Sequence, residues 1–333
     1  MVRHCKFCGR IAKSEYKYNG MPLYLCEDCE KNYVHKCEDC GKEYFYHEWF
    51  DNCLIQPVDN KYYCNNCLQH HFKHCPHCDR QNNWITKDSN MCFYCASDDY
   101  IHSYGFKPSP IFHKSQKENT NLFVGVELEL NFNHSANGVK FMQHIGKIDE
   151  NSFVYLKHDG SLEKYGIEIV SHPATFAYHL KCNNWKDIFS YLHDTNTNNC
   201  GMHLHLSKNA FSKDETQLLD YMVNNYKHLI VNIGSRKLAG YCRAVKSISW
   251  GNERCSSHTD ACNLTNEHTI ELRFCKATNN YNTFIKKIKN VYTLISFVKT
   301  VCNQGYKNKI MNSEKTKVEK FFEYFKGELL SRI

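Results

Sequence analysis

Gly201-Met202-His203-Leu204-His205-Leu206-Ser207 alternates apolar and imidazole side chains at a period of two, the signature of a half-buried β-strand with both histidines on one face. Working outward, the same pattern recurs with other polar groups. Val124-Gly125-Val126-Glu127-Leu128-Glu129-Leu130 carries two carboxylates on one face, and Thr269-Ile270-Glu271-Leu272-Arg273-Phe274 carries a carboxylate and a guanidinium. In Ile167-Glu168-Ile169-Val170, Glu168 is the polar member. Each polar set stands opposite aliphatic residues suited to packing on helices.

Helices fill the intervals. Ser212-Lys213-Asp214-Glu215 is a capping box opening a helix to about Ile233. Pro173 to about His193, Tyr281 to about Cys302 and Glu314 to about Leu330 also read as helical. This mixed order predicts an α+β domain with a largely antiparallel sheet backed by helices. No Gly-x-Gly-x-x-Gly or Walker-type loop is present, so a bound nucleotide would depend on metals and arginines.

Singly, each polar strand has an ordinary explanation: a solvated face for Glu127 and Glu129, or an exposed ion pair for Glu271 and Arg273. Together they present carboxylates, imidazoles and a guanidinium, with almost no lysine expected on the same faces. Carboxylates so gathered repel one another unless cations intervene. Hard oxygen donors with one or two histidines suit magnesium or manganese holding phosphate oxygens.

These motifs resemble a known family. Gly201-Met202-His203-Leu204-His205-Leu206-Ser207 is similar to the Gly-Met-His-x-His segment of glutamine synthetases, Glu127-Leu128-Glu129 to their paired-glutamate strand, and Glu271-Leu272-Arg273 to their late Glu-x-Arg strand. With His158-Asp159-Gly160-Ser161-Leu162-Glu163, Glu168-Ile169-Val170-Ser171-His172-Pro173 and Asn263-Leu264-Thr265-Asn266, the pattern across roughly residues 121–300 resembles the amidoligases, a glutamine-synthetase-like group of carboxylate–amine ligases. The resemblance implies a glutamine-synthetase-like fold. It also implies an ATP-dependent ligase in which a substrate carboxylate becomes an acyl phosphate and an amine then displaces phosphate. Two or three Mg²⁺ or Mn²⁺ ions would be held by Glu127, Glu129, Glu168, His203 and Glu271, with Arg273 on phosphate. His205 would stand behind the ligands. Asp159, Ser161, Arg236 and Arg243 would belong to the nucleotide-binding surroundings. The domain is far shorter than a glutamine synthetase subunit and lacks the segments that grip glutamate, so the expected acid and amine are a peptide, a protein side chain, a cell-wall fragment or a small amino acid. Two other classes compete: a non-catalytic zinc-ribbon binding protein on a degenerate ligase scaffold, and a metal-dependent phosphoesterase or nuclease.

Toward the N-terminus the chemistry changes. Thirteen of the 20 cysteines fall within the first 100 residues, and twelve form Cys-x-x-Cys pairs: Cys5/Cys8, Cys26/Cys29, Cys37/Cys40, Cys64/Cys67, Cys75/Cys78 and Cys92/Cys95. Two such knuckles make a closed four-thiolate zinc site. Histidines His4, His35 and His74 precede the first knuckle of each unit, and Gly9-Arg10, Gly41-Lys42 and Asp79-Arg80 follow it. Three tandem zinc ribbons of the form knuckle, hairpin, knuckle are expected, at about 1–32, 33–71 and 72–100. Spacers of 17, 23 and 13 residues within units and 7 between them favour sequential sites, with a cross-brace left open. Cys53 falls outside the pattern and reads as a buried small hydrophobe.

Residues 101–120, with Pro108 and Pro110 and a polar run after Lys114, read as a linker, followed by the ligase-like domain at 121–333. Mean hydropathy of −0.61 and the lack of a long apolar run exclude a membrane span. The start has no hydrophobic signal region, so the expected location is the cytoplasm. Abundant Lys, Asn, Tyr and Ile point to an AT-rich genome, as in some viruses, where the location would be the host cytoplasm. The formal charge of +7 misleads. Residues 1–100 hold 12 Lys+Arg against 14 Asp+Glu, and three four-thiolate zinc sites at −2 each bring that region to about −8. Such a module suits a protein partner better than a nucleic-acid backbone.

Overall fold

A computed structural model describes residues 2–18, 21–45, 55–58, 61–78, 84–115, 118–146, 153–245, 256–306, 310 and 313–330. Cys53 and the Asp79-Arg80 pair lie outside the described residues. The chain divides into two compact units, Met1–Cys95 with His134–Val139 and Ala96–Asn133 with Lys140–Ile333. The molecule is mixed α+β, with antiparallel sheets backed by helices and cysteine clusters at its N-terminal end.

The first unit repeats one small motif. Strands β1 (Ser14–Tyr18) and β2 (Met21–Leu25) form a hairpin, and α1 (Glu27–Tyr33) follows directly. Strands β3 (Val34–Lys36) and β4 (Glu43–Phe45) pair around the next knuckle, then β5 (Ile55–Val58) and β6 (Lys61–Cys64) lead into α2 (Asn65–His71). Strands β7 (Phe72–His74) and β8 (Trp84–Thr86) pair before α3 (Phe93–Tyr100), which runs on into the second unit. The second knuckle of each module is therefore the start of a helix: Cys26 and Cys64 are the N-caps of α1 and α2. Gly9 and Gly41, at φ of +71° and +69°, close the first knuckles with N–H bonds back to the carbonyls of Cys5 and Cys37. That left-handed turn favours glycine.

In the second unit, β9 (Val124–Phe132) is followed by α4 (Ser135–Gly146), whose residues up to Val139 are assigned to the first unit, then by β10 (Val154–Lys157), β11 (Gly166–Ser171), α5 (Phe176–Lys181), α6 (Asn183–Ser190), β12 (Thr195–Asn196) and β13 (Gly201–Ser207). Then come α7 (Lys213–Asn225), α8 (Lys227–Gly234), β14 (Cys262–Asn263), β15 (Thr269–Lys276), α9 (Tyr281–Asn303) and α10 (Lys315–Leu330). The strands form one antiparallel sheet in the order β10-β11-β9-β13-β15-β14, with β12 also on β9.

Alternation along these strands makes two unlike faces. Val126, Leu128, Leu204, Leu206, Ile270 and Leu272 are fully buried, and α8 and α9 contribute Ile230, Phe284, Ile288, Val291 and Leu294 to the same core. Each such side chain contributes about 1.5–3 kcal/mol on burial. The expected capping box at Ser212 and Glu215 is present, but the helix it opens breaks at Tyr226, a buried residue whose hydroxyl donates to Ile310 O at 3.3 Å. The helix expected from Pro173 likewise divides at Cys182. Residues 101–120 belong to the second unit: His102 N donates to Leu156 O, and His113 N to Pro173 O. His179, fully buried, donates from Nε2 to Val124 O at 2.8 Å and accepts at Nδ1 from Trp185 Nε1 at 3.2 Å, fixing a neutral tautomer.

Candidate functional site

The polar face of the large sheet follows from strand register. Glu168 on β11 stands opposite Glu129 on β9, His203 on β13 opposite Glu127, and His205 opposite Glu271 on β15. Asn263 on β14 faces Glu271 from the other side. A β-bulge opposite His203 adds one residue to β15, since Met202 pairs with Cys275 but Leu204 with Leu272. Bulges of this kind re-aim side chains beside functional sites, and here the residue concerned is Arg273.

Two three-residue groups are close enough to share a cation each: Glu127, His203 and Glu271, and Glu129, Asp159 and Glu168. His203 stands where they meet. Its Nδ1 is 3.4 Å from Glu127 Oε2 and 3.8 Å from Glu271 Oε1, and its Nε2 is 3.7 Å from Glu129 Oε1. His203 Nε2 and Glu168 Oε2 are buried with no hydrogen-bond partner, an arrangement that costs free energy unless something further binds there. Five carboxylates and an imidazole form a donor set of the type magnesium and manganese take, so the residues fit divalent cations.

Electrostatics in the cluster are strongly perturbed. At Glu168, burial first and the Glu127 charge second push the carboxyl up to about 8. Burial opposes ionisation of Glu127 as well, but His205 and His203 outweigh it and hold that carboxyl well below its usual range. Glu271 behaves alike: burial raises it, and His205 and Arg273 bring it below normal. His205 is pushed the other way, since burial lowers it but Glu127 carries it up to about 9.

Around these groups the other expected residues take separate places. Arg273 pairs with Glu271 Oε1 and donates from Nε to Tyr241 O at 3.2 Å. Arg236 donates from Nη1 to Arg273 O at 3.1 Å. Gly201 N donates to Glu129 Oε2 at 2.5 Å, and a Cβ there would lie 2.4 Å from Arg236 Nη1 and 2.6 Å from His203 Nε2. His205 Nε2 is 3.2 Å from Glu127 Oε2, and Nδ1 is 3.3 Å from Thr269 Oγ1; it joins neither cation group. Ser161 is exposed and serves Asp159 through its N–H, bonded to Oδ1 at 2.7 Å. Arg243 is exposed, with Nη2 bonded to Thr259 Oγ1 at 2.6 Å. No contact brings Arg243 to the carboxylates among the described residues.

One member of the site was missed in the sequence. Lys157, opposite Glu168 in register on a fifth strand, puts its Nζ 3.6 Å from Glu168 Oε2. The alternation Val154-Tyr155-Leu156-Lys157 could have revealed it. Asn263 donates to Glu271 Oε2 at 2.7 Å and fixes that carboxylate. A cleft of about 800 Å³ opens beside the cluster, sharing Glu127 and His205 with it.

In the first unit the cysteines gather sequentially into Cys5-Cys8-Cys26-Cys29, Cys37-Cys40-Cys64-Cys67 and Cys75-Cys78-Cys92-Cys95, an arrangement compatible with zinc ribbons. Backbone N–H groups support the sulfurs, as from Cys64 to Cys37 Sγ at 3.4 Å and Cys92 to Cys75 Sγ at 3.2 Å. The Arg10 backbone N–H, with Arg10 Nε at 3.3 Å from Cys8 Sγ, brings that thiol down to about 6. Four converging, largely buried sulfurs suit a structural metal ion.

No protein-family model matches this chain, and no curated protein matches it. Among the described residues no helix is long and apolar enough to cross a membrane.

Proposed function

We propose that the polar face of the second unit is the active site of an ATP-dependent carboxylate–amine ligase of glutamine-synthetase-like type. The observation that carries the reading is His203, buried between two adjacent carboxylate groups and flanked by Arg273 on the same face. Divalent cations held by Glu127, His203 and Glu271 and by Glu129, Asp159 and Glu168 would offset the charge that gathers on a transferring phosphoryl group.

The chain's own residues do the positioning. Asn263 and Arg273 fix Glu271 from two sides. His205 keeps Glu127 ionised. Arg273 and Arg236 spend some donors on protein carbonyls and keep others of their planar forks for phosphate oxygens. A carboxylate oxygen of the acid attacks the γ-phosphorus of ATP and ADP leaves. The amine nitrogen then attacks the acyl carbon, losing a proton, and phosphate departs with that carboxylate oxygen. The three four-cysteine groups would hold structural zinc and present an acidic module to a protein partner or a basic ligand.

A mass-spectrometric screen of paired acids and amines with Mg²⁺ and ATP tests the reading. It expects a condensation product formed together with ADP. Cleavage of a phosphodiester without any acid or amine would replace it with the phosphoesterase reading.

A further inference from the structure

Resting on the cation-holding part of the ligase reading, we propose that His158 is a positioning residue: clamped to Ser97, it holds its neighbour Asp159 in the cation group that Asp159 shares with Glu129 and Glu168. Asp159 needs such a hold more than its companions do. Glu129 and Glu168 stand opposite each other on paired strands, so register places them. Asp159 comes after the last residue of β10, Lys157, where the pairing with β11 has ended.

Alternation carries on past the strand. Lys157 turns its ammonium to Glu168 Oε2 at 3.6 Å, and Asp159 reaches the same carboxylate group, so His158 between them points the other way. There its Nε2 lies 3.0 Å from Ser97 Oγ. Ser97, on α3, is 5% exposed, whereas His158 is exposed. A surface imidazole is thus tied to a buried hydroxyl.

The main chain of His158 is gripped as well. Its N–H donates to His102 O at 3.0 Å, and the His102 N–H donates to Leu156 O at 2.9 Å, which lays His102 as a parallel bridge along Lys157. The His102 ring stacks flat on Phe106, centroids 3.7 Å apart. Ile101 N donates to Ser97 O at 3.0 Å, so both holds on His158 come from one ordered stretch of chain.

On its other side Asp159 is braced within its own turn. Ser161 N donates to Asp159 Oδ1 at 2.7 Å and Leu162 N to Asp159 O at 3.3 Å, bonds that shape the loop without tying it to the sheet. Among the described residues the next tie to the sheet is Glu163, whose N–H donates to Asn131 Oδ1 at 2.9 Å. The place of the Asp159 carboxylate beside Glu129 and Glu168 is therefore set from the His158 end.

The test is calorimetric Mn²⁺ titration of the full chain. His158→Ala lowers the affinity of one Mn²⁺ site roughly tenfold, the lower end of what losing a group that orients a ligand costs. Ser97→Ala, which removes one hydroxyl from a helix and spares the fold, does the same. His158→Gln, which keeps a polar atom near the reach of Nε2, restores binding. Each alanine variant is then combined with Asp159→Ala. Because His158 acts through Asp159, neither lowers the affinity further in that background; a further loss of the same size overturns the proposal. Mn²⁺ binding unchanged in both His158→Ala and Ser97→Ala also overturns it and leaves the ligase reading standing. If the unaltered chain binds no Mn²⁺ at all, the ligase reading falls and this proposal with it.

Discussion

His203 Nδ1 lies 3.4 Å from Glu127 Oε2, the two residues facing each other in register across β13 and β9. That pair joins the two carboxylate groups, because the other ring nitrogen of His203 turns toward Glu129. Glu127→Gln should therefore lower Mn²⁺ affinity by an order of magnitude or more, the upper part of what losing a well-held ligand partner costs. Neutralising Glu127 also takes from His205 the charge that raises it, so thermal stability in EDTA should fall. Calorimetric Mn²⁺ titration beside a melting curve checks both. Unaltered Mn²⁺ binding would remove Glu127 from the site.

Lys157 opposes this behaviour. Its ammonium, 3.6 Å from Glu168 Oε2, occupies the place of a countercharge beside Glu129 and Glu168. Lys157→Met should raise Mn²⁺ affinity several-fold, since a competing positive charge close to a divalent cation is costly at the dielectric of a partly buried site. A weaker Mn²⁺ titration in this variant would contradict that role.

Gly201→Ala separates folding from function. The added methyl meets the side-chain ends of Arg236 and His203, not backbone, so the fold should persist while both groups are displaced. The expected result is a circular dichroism spectrum like that of the unaltered chain together with reduced Mn²⁺ affinity.

Acid should destabilise the second unit through His179. Burial pulls this imidazole down to about 4, and protonating Nδ1 would break its bond from Trp185. The folded pKa lies below the unfolded value of about 6.5, so the unfolded chain binds the extra proton first and stability is lost as pH falls from about 6.5 toward 4. The full effect is roughly 3 kcal/mol. Urea titrations across that range should show the slope, and it should flatten in His179→Gln.

Zinc content should be about three per chain. With sequential sites, the double variant Cys8→Ser/Cys26→Ser alters one group and should lose one zinc by elemental analysis. Loss of two would mean that the ligands are cross-braced.

Much of the candidate site is legible in the sequence because strand alternation is local. Glu127, Glu129, His203, His205 and Glu271 declare their shared faces through a period of two. What joins them is not local. The pairing that sets Glu168 against Glu129, and the bulge at Arg273, depend on which strands become neighbours. Lys157 was missed because four residues make a weak pattern, and the cleft wall because Pro108 and Pro110 look alike in a linker and in an ordered irregular segment. Cysteine spacing announced the knuckles, but not the helices that start at Cys26 and Cys64.

The most direct measurement follows oxygen. With the acid substrate labelled with ¹⁸O in its carboxylate, the account predicts one labelled oxygen in the phosphate released with each amide formed, alongside ADP. Phosphate without label, or release of AMP and pyrophosphate, would contradict the acyl-phosphate route and with it the ligase assignment made here.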